Sequence, residues 1–294
     1  MNVDPEKIAF IVNPISGGKS IDIAGKVSRF FKNTLIEYAL AESRFKGEAS
    51  QLTKKFVSEG YKKIIAVGGD GTVNEVAREL IHTDSVLGII PKGSGNGLAR
   101  HLKIPVSVNS ALNLILHDNI DAIDYGILND TPFFCTAGVG FDAHIGNKFA
   151  TLSGRGLTNY IKAILQEYLY YKPQRYTLVT EGQTIQKEAF LITIANASQW
   201  GNNAFIAPEA SLQDGFLDVT IVSPFPKILS PTLGVMLFSK EIGKSGYVEM
   251  FRTKGITIER DEEGYIHFDG EPGTMGKKLS ARIVPRGLKV IIPD

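Results

Sequence analysis

An α/β domain followed by an antiparallel β-sandwich is the fold class that this 294-residue sequence predicts. Three observations predict it. Apolar, β-branched runs alternate with helix-forming segments through the first part of the chain, which is the pattern of a mostly parallel sheet with helices on both faces. After about residue 120, short β-rich stretches separated by turn residues take over, as in a sandwich. Three of the early apolar runs also end in glycine-bearing loops, at the strand ends where open α/β sheets bind ligands. The first part is therefore read as a Rossmann-like α/β domain, residues 1–125. The β-sandwich covers 126–294, its last strand a candidate to return to the first domain, and the active site is expected in the interdomain cleft.

In chain order, strands are expected at 7–13, 35–40, 62–67 and 86–90, and helices near 20–32, 46–60, 72–82 and 107–117. In the second half, strands are expected at Tyr176–Thr180, Phe190–Ala195, Leu217–Val222, Gly255–Ile258 and Leu279–Val284, interrupted by a helix around Leu157–Tyr171.

The loop after the third apolar run reads Gly68-Gly69-Asp70-Gly71-Thr72-Val73-Asn74-Glu75. Glycines let the backbone approach a ligand closely, and the free N–H groups of the helix that follows suit a phosphate. Asp70 is not there to hold phosphate, because like charges repel. A carboxylate beside a phosphate site holds Mg²⁺ or takes a proton, and the combination points to phosphoryl transfer. On this fragment alone, Asp70 as a simple helix cap is the competing reading. Two further loops strengthen the phosphate reading: Asn13-Pro14-Ile15-Ser16-Gly17-Gly18-Lys19 after the first strand and Pro91-Lys92-Gly93-Ser94-Gly95-Asn96-Gly97 after the fourth. The first is not a P-loop, since Asn13 stands where that motif needs glycine, and no GxGxxG dinucleotide fingerprint occurs.

The β-rich half carries Phe268-Asp269-Gly270-Glu271, in which Asp-Gly is a strong hairpin signal and the paired carboxylates could also serve a substrate hydroxyl as proton acceptor and positioner. Asp214-Gly215-Phe216-Leu217-Asp218 reads either as a solvated turn or as a carboxylate-and-carbonyl site for a hard cation.

The net charge of +1 gives no electrostatic pull toward nucleic acid, and none is expected as a partner. Cys135, the sole cysteine, lies in an apolar run and reads as a buried structural thiol. The polar N-terminal residues lack a signal-peptide core, and no apolar run is long enough to span a bilayer. A cytoplasmic protein is expected, and the lipid acceptor that the family resemblance described next implies would add peripheral membrane contact. Segment 148–157 is a candidate for that contact, Trp200 for a lipid-pocket wall, and a homodimer is kept open.

Taken in order, Asn13-Pro14 with Gly17-Gly18-Lys19, GGDGTVNEV at 68–76, GSGNGLAR at 93–100, DGFLDV at 214–219 and FDGE at 268–271 resemble the diacylglycerol kinase catalytic family. This family of lipid kinases includes the bacterial diacylglycerol kinases, YegS-like enzymes, and sphingosine and ceramide kinases. The resemblance spans nearly the whole chain. It implies transfer of the γ-phosphoryl group of ATP to a lipid hydroxyl, with Mg²⁺ as the metal and phospholipid biosynthesis as the setting. It further implies that Asn13, Ser16 and Lys19 line the nucleotide phosphates, that Ser43, Gly68, Gly69, Asp70, Gly71, Thr72, Asn74 and Glu75 hold ATP, and that Ser94 joins them. Asp70 and Asp124 would organise the catalytic Mg²⁺ through water. Asp269 would be the general base, Glu271 its partner. Asp214 with the carbonyls of Ser211 and Phe216 would bind a structural Mg²⁺.

The sequence departs from that pattern at Gly97, where many bacterial members carry aspartate, and at His144, roughly where sphingosine kinases place an acid for the amino head group. Two alternatives stand beside the lipid kinase. One is an NAD kinase-like enzyme, which shares GGDGT but not Asn74-Glu75 or FDGE. The other is a nucleotide- or lipid-binding protein without catalysis, against which the intact Asp70 and Asp269 argue.

Overall fold

The first strand, β1 (Lys7–Val12), is buried along nearly its whole length, as a strand covered by helices on both faces must be. A computed structural model of the chain describes residues 7–17, 22–117, 119–151, 167–168 and 170–294. By contact density the chain divides into two units, Met1–Asp124 with Arg286–Asp294, and Tyr125–Pro285.

In the first unit, β2 (Glu37–Glu42), β1, β3 (Lys63–Gly68) and β4 (Val86–Pro91) lie side by side in that order, all parallel. Val290, near the end of the last strand β16 (Lys278–Ile291), pairs in parallel with Leu87 of β4. Alternation sorts the side chains. Ile8, Phe10 and Val12 of β1 and Ile65 and Val67 of β3 pack on Ile23, Val27 and Phe31 of helix α1 (Ile23–Phe31) and on Val108, Leu112 and Ile115 of α5 (Val108–Leu116). Helices α2 (Glu48–Ser58) and α3 (Asp70–Leu80) pack on each other and on the sheet. The order β2-β1-β3-β4 reverses direction at β1 and β3, and such a switch point leaves a crevice outside the carboxyl ends of those strands. The loops that follow β1 and β3 begin there.

The second unit holds two antiparallel sheets. One contains the first part of β16, then β13 (Gly255–Arg260), β8 (Gln174–Thr180) and β9 (Gln183–Ala189). The other runs β12 (Val248–Thr253), β11 (Leu217–Val222), β10 (Leu191–Ala195), β7 (Thr136–Gly140), β14 (Gly264–Phe268) and β15 (Glu271–Met275). Leu178, Ile256, Ile258 and Leu279 from the first sheet meet Val139, Ile192, Val219 and Ile266 from the second in one core. The remaining strands are β5 (Ile120–Leu128), at the crossing from the first unit, and β6 (Thr131–Phe133).

The alternating first half and the sandwich both follow the sequence expectation, with some differences. Helix α3 begins at Asp70 rather than 72, because Gly69 itself is the N-cap and the glycine turn is tighter than expected. Three helices were not expected: α4 (Gly97–His101), α6 (Phe141–Thr151) and α7 (Ser230–Phe238). Most of the helix expected at Leu157–Tyr171 and part of the candidate membrane segment 148–157 lie outside the described residues. Among the described residues no helix is long and apolar enough to cross a membrane. Cys135 is buried, and Trp200 packs against the core around Phe141 and Leu191.

Candidate functional site

Three loops interlock in the first unit. Asn13 Nδ2 donates to Thr72 Oγ1 at 3.2 Å, tying the loop after β1 to the first turn of α3. A Cβ placed on Gly93 would stand 2.6 Å from Gly69 Cα, and one on Gly95 2.7 Å from Asp70 Oδ2. A Cβ on Gly17, where φ is +84°, would meet the Lys92 carbonyl oxygen. The glycines are thus required by the approach of one loop to another. We expect Gly93→Ala to lower folding stability by about 1–3 kcal/mol, since neither backbone can retreat. Chemical denaturation checks this, and an unchanged midpoint would mean that the loops can part.

Asp70 spans two of these loops. Its Oδ2 accepts from Asn96 N at 2.8 Å and its Oδ1 from Gly97 N at 2.6 Å. The carboxylate therefore caps α4, a helix 26 residues downstream, and not its own. Burial raises its carboxyl above the usual range, against the pull of the Gly97 and Asn96 N–H groups. Glu75 does the same for another helix: its Oε1 and Oε2 accept from Gly47 N at 2.9 Å and Ala49 N at 3.1 Å, at the start of α2. The start of α3 has no side-chain cap of its own. Its N–H groups and dipole remain for an anion, so the residues present fit a nucleotide phosphate.

Of the other residues expected here, Asn74 and Ser43 are buried and Ser94 is exposed. Ser43 N donates to Val12 O at 2.8 Å, beside the end of β1. Ser16 N donates to Asn13 O within the first loop, whereas Lys19 lies outside the described residues. Asp124 is 1% exposed and its Oδ1 accepts from Arg286 N at 2.7 Å. Among the described residues there is no cluster of three or more His, Cys, Asp or Glu side chains that could hold a metal. The donor set fits a Mg²⁺ carried by nucleotide phosphates and water, with Asp70 as the charge beside it, and not a caged ion.

His101 closes α4. Burial, helped by the charge of Lys103, lowers its imidazole from 6.5 to about 4. The unfolded chain takes up this proton near its ordinary value while the folded chain resists it. Stability present above pH 6.5 is therefore lost as pH falls toward 4, by at most about 3 kcal/mol. Replacement by glutamine should flatten that slope in urea titrations at pH 7.5 and pH 5; an unchanged slope would place the acid sensitivity elsewhere.

The second unit presents Asp269 at a hairpin tip. Phe268 pairs with Glu271 across a two-residue turn whose residues, Asp269 (φ +49°) and Gly270 (φ +82°), both adopt the left-handed conformation. The turn reading thus holds. Asp269 Oδ1 accepts from Cys135 N at 2.7 Å and Thr136 N at 3.0 Å, and Oδ2 from Phe134 N at 2.9 Å. The Phe134–Thr136 segment, apolar in sequence, is a backbone cradle that fixes both carboxylate oxygens. These three amides take both lone pairs of Oδ1 and one of Oδ2. Glu271 begins β15 at the other side of the turn.

One arrangement near this tip gave no signal in the sequence. His267 Nε2 lies 2.9 Å from Asp142 Oδ2, which also accepts from Thr193 Oγ1 at 3.2 Å, joining β14, α6 and β10. A Cβ on Gly138 would intrude on this contact, 2.8 Å from His267 Nε2. Further along α6, His144 Nε2 lies 2.7 Å from Glu167 Oε2, and Lys148 Nζ lies 3.3 Å from its other oxygen. The His144 hydrogen bond, more than the Lys148 charge, keeps the Glu167 carboxyl below its usual range.

The residues expected to hold a structural Mg²⁺ fit it poorly. Asp214 Oδ1 accepts from Phe216 N at 3.1 Å, and its Oδ2 lies 3.7 Å from Arg252. Arg252 also donates to Asp218 Oδ1 at 3.1 Å. A guanidinium answers Asp214 and Asp218 of this turn, while Ser211 Oγ accepts from Gln213 N at 3.3 Å, and no step depends on a cation there.

Comparison with known proteins agrees with the two-unit plan. Residues 7–128 match the diacylglycerol kinase catalytic domain, and residues 135–292 match the YegS C-terminal NAD kinase beta sandwich-like domain. A protein of Enterobacter sp. (strain 638) named "Probable lipid kinase YegS-like" is 30% identical over 264 residues, 84% of each chain. A Mycobacterium tuberculosis protein named "Diacylglycerol kinase" is 28% identical, covering 98% of this chain and 95% of that one. A crystal structure of a diacylglycerol kinase from Bacillus anthracis superposes with a TM-score of 0.74 at 22% identity, over 98% of this chain and 97% of that one, which shows a shared fold.

Proposed function

Because the chain belongs to the diacylglycerol kinase and YegS-like lipid kinase family, we propose that it transfers the γ-phosphoryl group of ATP to the hydroxyl of a neutral acylglycerol. The observation that carries this reading is the uncapped start of α3 among three interlocked glycine loops, while Asp70 and Glu75 cap α4 and α2. Those loops would receive the polyphosphate through backbone N–H groups. Mg²⁺, when bound with the nucleotide, supplies positive charge against the charge that develops on the transferring phosphoryl group. Asp269, fixed by three amides, would take the proton of the lipid hydroxyl, with Glu271 beside it in the hairpin.

The acidic DGE motif and the sandwich match favour a lipid over NAD⁺ as acceptor, and an intact proton acceptor favours an enzyme over a binding protein. The choice of a neutral lipid rests on His144. Glu167 stands beside it but already answers His144 and Lys148, leaving no surplus negative charge for a sphingoid ammonium. Such an acceptor sits in a bilayer, so contact with the membrane would be peripheral.

Transfer of ³²P from γ-labelled ATP to diacylglycerol, sphinganine, ceramide, phosphatidylglycerol and NAD⁺ tests the reading. Label on diacylglycerol is the expected result. Label on sphinganine alone would overturn the assignment of the His144 cluster, and label on NAD⁺ alone the lipid branch. ATP binding with no labelled product would favour a binding protein.

A further inference from the structure

Helix α7 and the short 3₁₀ turn that leads into it, Lys227–Leu229, are apolar on the outward face as well as the inward one. Leu233, Met236 and Leu237 join the core around Phe141 and Leu191. Ile228, Val235 and Phe238 lie on the other side, 83%, 68% and 57% exposed. With the exposed Pro231 they recur at the spacing of a single helical face.

A surface helix ordinarily gives its charged face to water, but no charged residue stands between Ile228 and Phe238. Exposed apolar residues scattered singly need no explanation. Three large ones along one helix face form a patch of the kind that marks a contact surface. The charges stand at its two ends instead. Lys227 precedes the patch, Lys240 and Lys244 follow it, and all three are exposed. Across residues 224–246 these three lysines, less the one acid Glu241, give a net charge of +2, against +1 for the whole chain. The remainder of the chain is therefore net negative. Glu241 engages Lys244 at 2.6 Å, and the Lys240 ammonium rides 4.5 Å from the centre of the Phe205 ring, a contact that leaves its charge in place.

An apolar face bracketed by lysines complements an anionic bilayer. The apolar side chains enter the boundary of the acyl chains while the ammonium groups stay among the head groups. A protein partner fits less well, because lysine is depleted at protein–protein interfaces. We propose that α7 is the membrane-docking surface of this chain, seating Ile228, Val235 and Phe238 in an anionic bilayer with Lys227, Lys240 and Lys244 at the head groups. The inference deepens the lipid-kinase reading, whose acceptor resides in a bilayer, by naming the surface that meets it. Helix α7 belongs to the same unit as Asp269, so docking brings the unit with the proposed proton acceptor to the membrane.

Co-sedimentation with vesicles in the absence of nucleotide tests this, using phosphatidylcholine alone and phosphatidylcholine with phosphatidylglycerol in equal parts. Wild type should bind the mixed vesicles and leave the neutral ones largely free. Replacing Ile228, Val235 and Phe238 together by glutamine should weaken binding by about 10- to 100-fold. Replacing the three lysines by glutamine should cost about fivefold for each on the anionic vesicles. The melting temperature of the apolar variant should hold, since the replaced side chains are exposed. If that variant does not fold, Val235→Gln alone serves the same comparison with a smaller loss. Binding equal to wild type in the apolar variant overturns the proposal, and so does wild type that ignores both vesicles or binds both equally. A wild-type dimer that the apolar variant dissociates, with no vesicle binding, would make the face a contact between copies and overturn it as well. Docking by a protein that phosphorylates no lipid supports the proposal and removes the kinase reading alone.

Discussion

Asp269→Asn is expected to lose about 10²–10⁴-fold in phosphoryl transfer while ATP affinity stays near wild type, because removing a general base costs that much and the nucleotide loops lie in the other unit. The structure adds a second consequence. Asparagine offers one acceptor oxygen where the carboxylate offers two. It can keep Cys135 N and Thr136 N on that oxygen, but its amide NH₂ then faces Phe134 N, 2.9 Å from the present Oδ2. Two donors in contact leave a backbone N–H unsatisfied, at about 1–3 kcal/mol. The variant should therefore melt earlier as well as turn over slowly. Activity must be read well below its melting temperature, with the second unit's fold checked by near-UV circular dichroism. Activity close to wild type in a folded variant would remove Asp269 from the chemistry and leave it a hairpin anchor.

Much of this architecture is legible in the sequence, for physical reasons that stop at identifiable residues. Ile64-Ile65-Ala66-Val67, an apolar and largely β-branched run, reads as a strand buried on both faces, and the glycines that follow read as a tight turn into a helix. The fold class, the three loops and their meeting follow from those local facts. Helix α4 does not, because Gly93, Gly95 and Gly97 argue against a helix and the cap that permits it comes from Asp70, 26 residues upstream. Helix α7 hides for a different reason: Pro231-Thr232-Leu233-Gly234-Val235-Met236-Leu237 is apolar without a helical period, and only Leu233 is buried. The backbone cradle of Asp269 is invisible in principle, since Phe134 and Cys135 contribute N–H groups that every residue carries. The acids of GGDGTVNE illustrate the general limit. Their type and spacing announce charge near a phosphate loop, but whether a carboxylate meets a metal, a proton or a helix end depends on elements that the local sequence does not contain.

Asp70→Asn discriminates among those three, and we expect it to cost about 2–3 kcal/mol of stability before any question of catalysis arises. The two N–H groups that Asp70 accepts, Asn96 N and Gly97 N, point at separate oxygens 2.8 and 2.6 Å away. Asparagine can satisfy one of them and must present an amide NH₂ to the other, so α4 loses half of its cap and gains a donor clash. The loss also reaches the loops, because Asn96 Oδ1 accepts from Gly93 N and its Nδ2 donates to Gly93 O, holding the third loop in the shape that meets Gly69. Urea denaturation should show the destabilisation in metal-free buffer, and ATP affinity should fall with it. Mn²⁺ then separates the roles. If Asp70 acts only as a cap, Mn²⁺ restores neither stability nor turnover; if it also serves a nucleotide-borne metal through water, Mn²⁺ restores part of the turnover and none of the stability. A variant with wild-type stability, rescued fully by Mn²⁺, would mean that the carboxylate's hydrogen bonds to α4 are incidental and its charge alone matters.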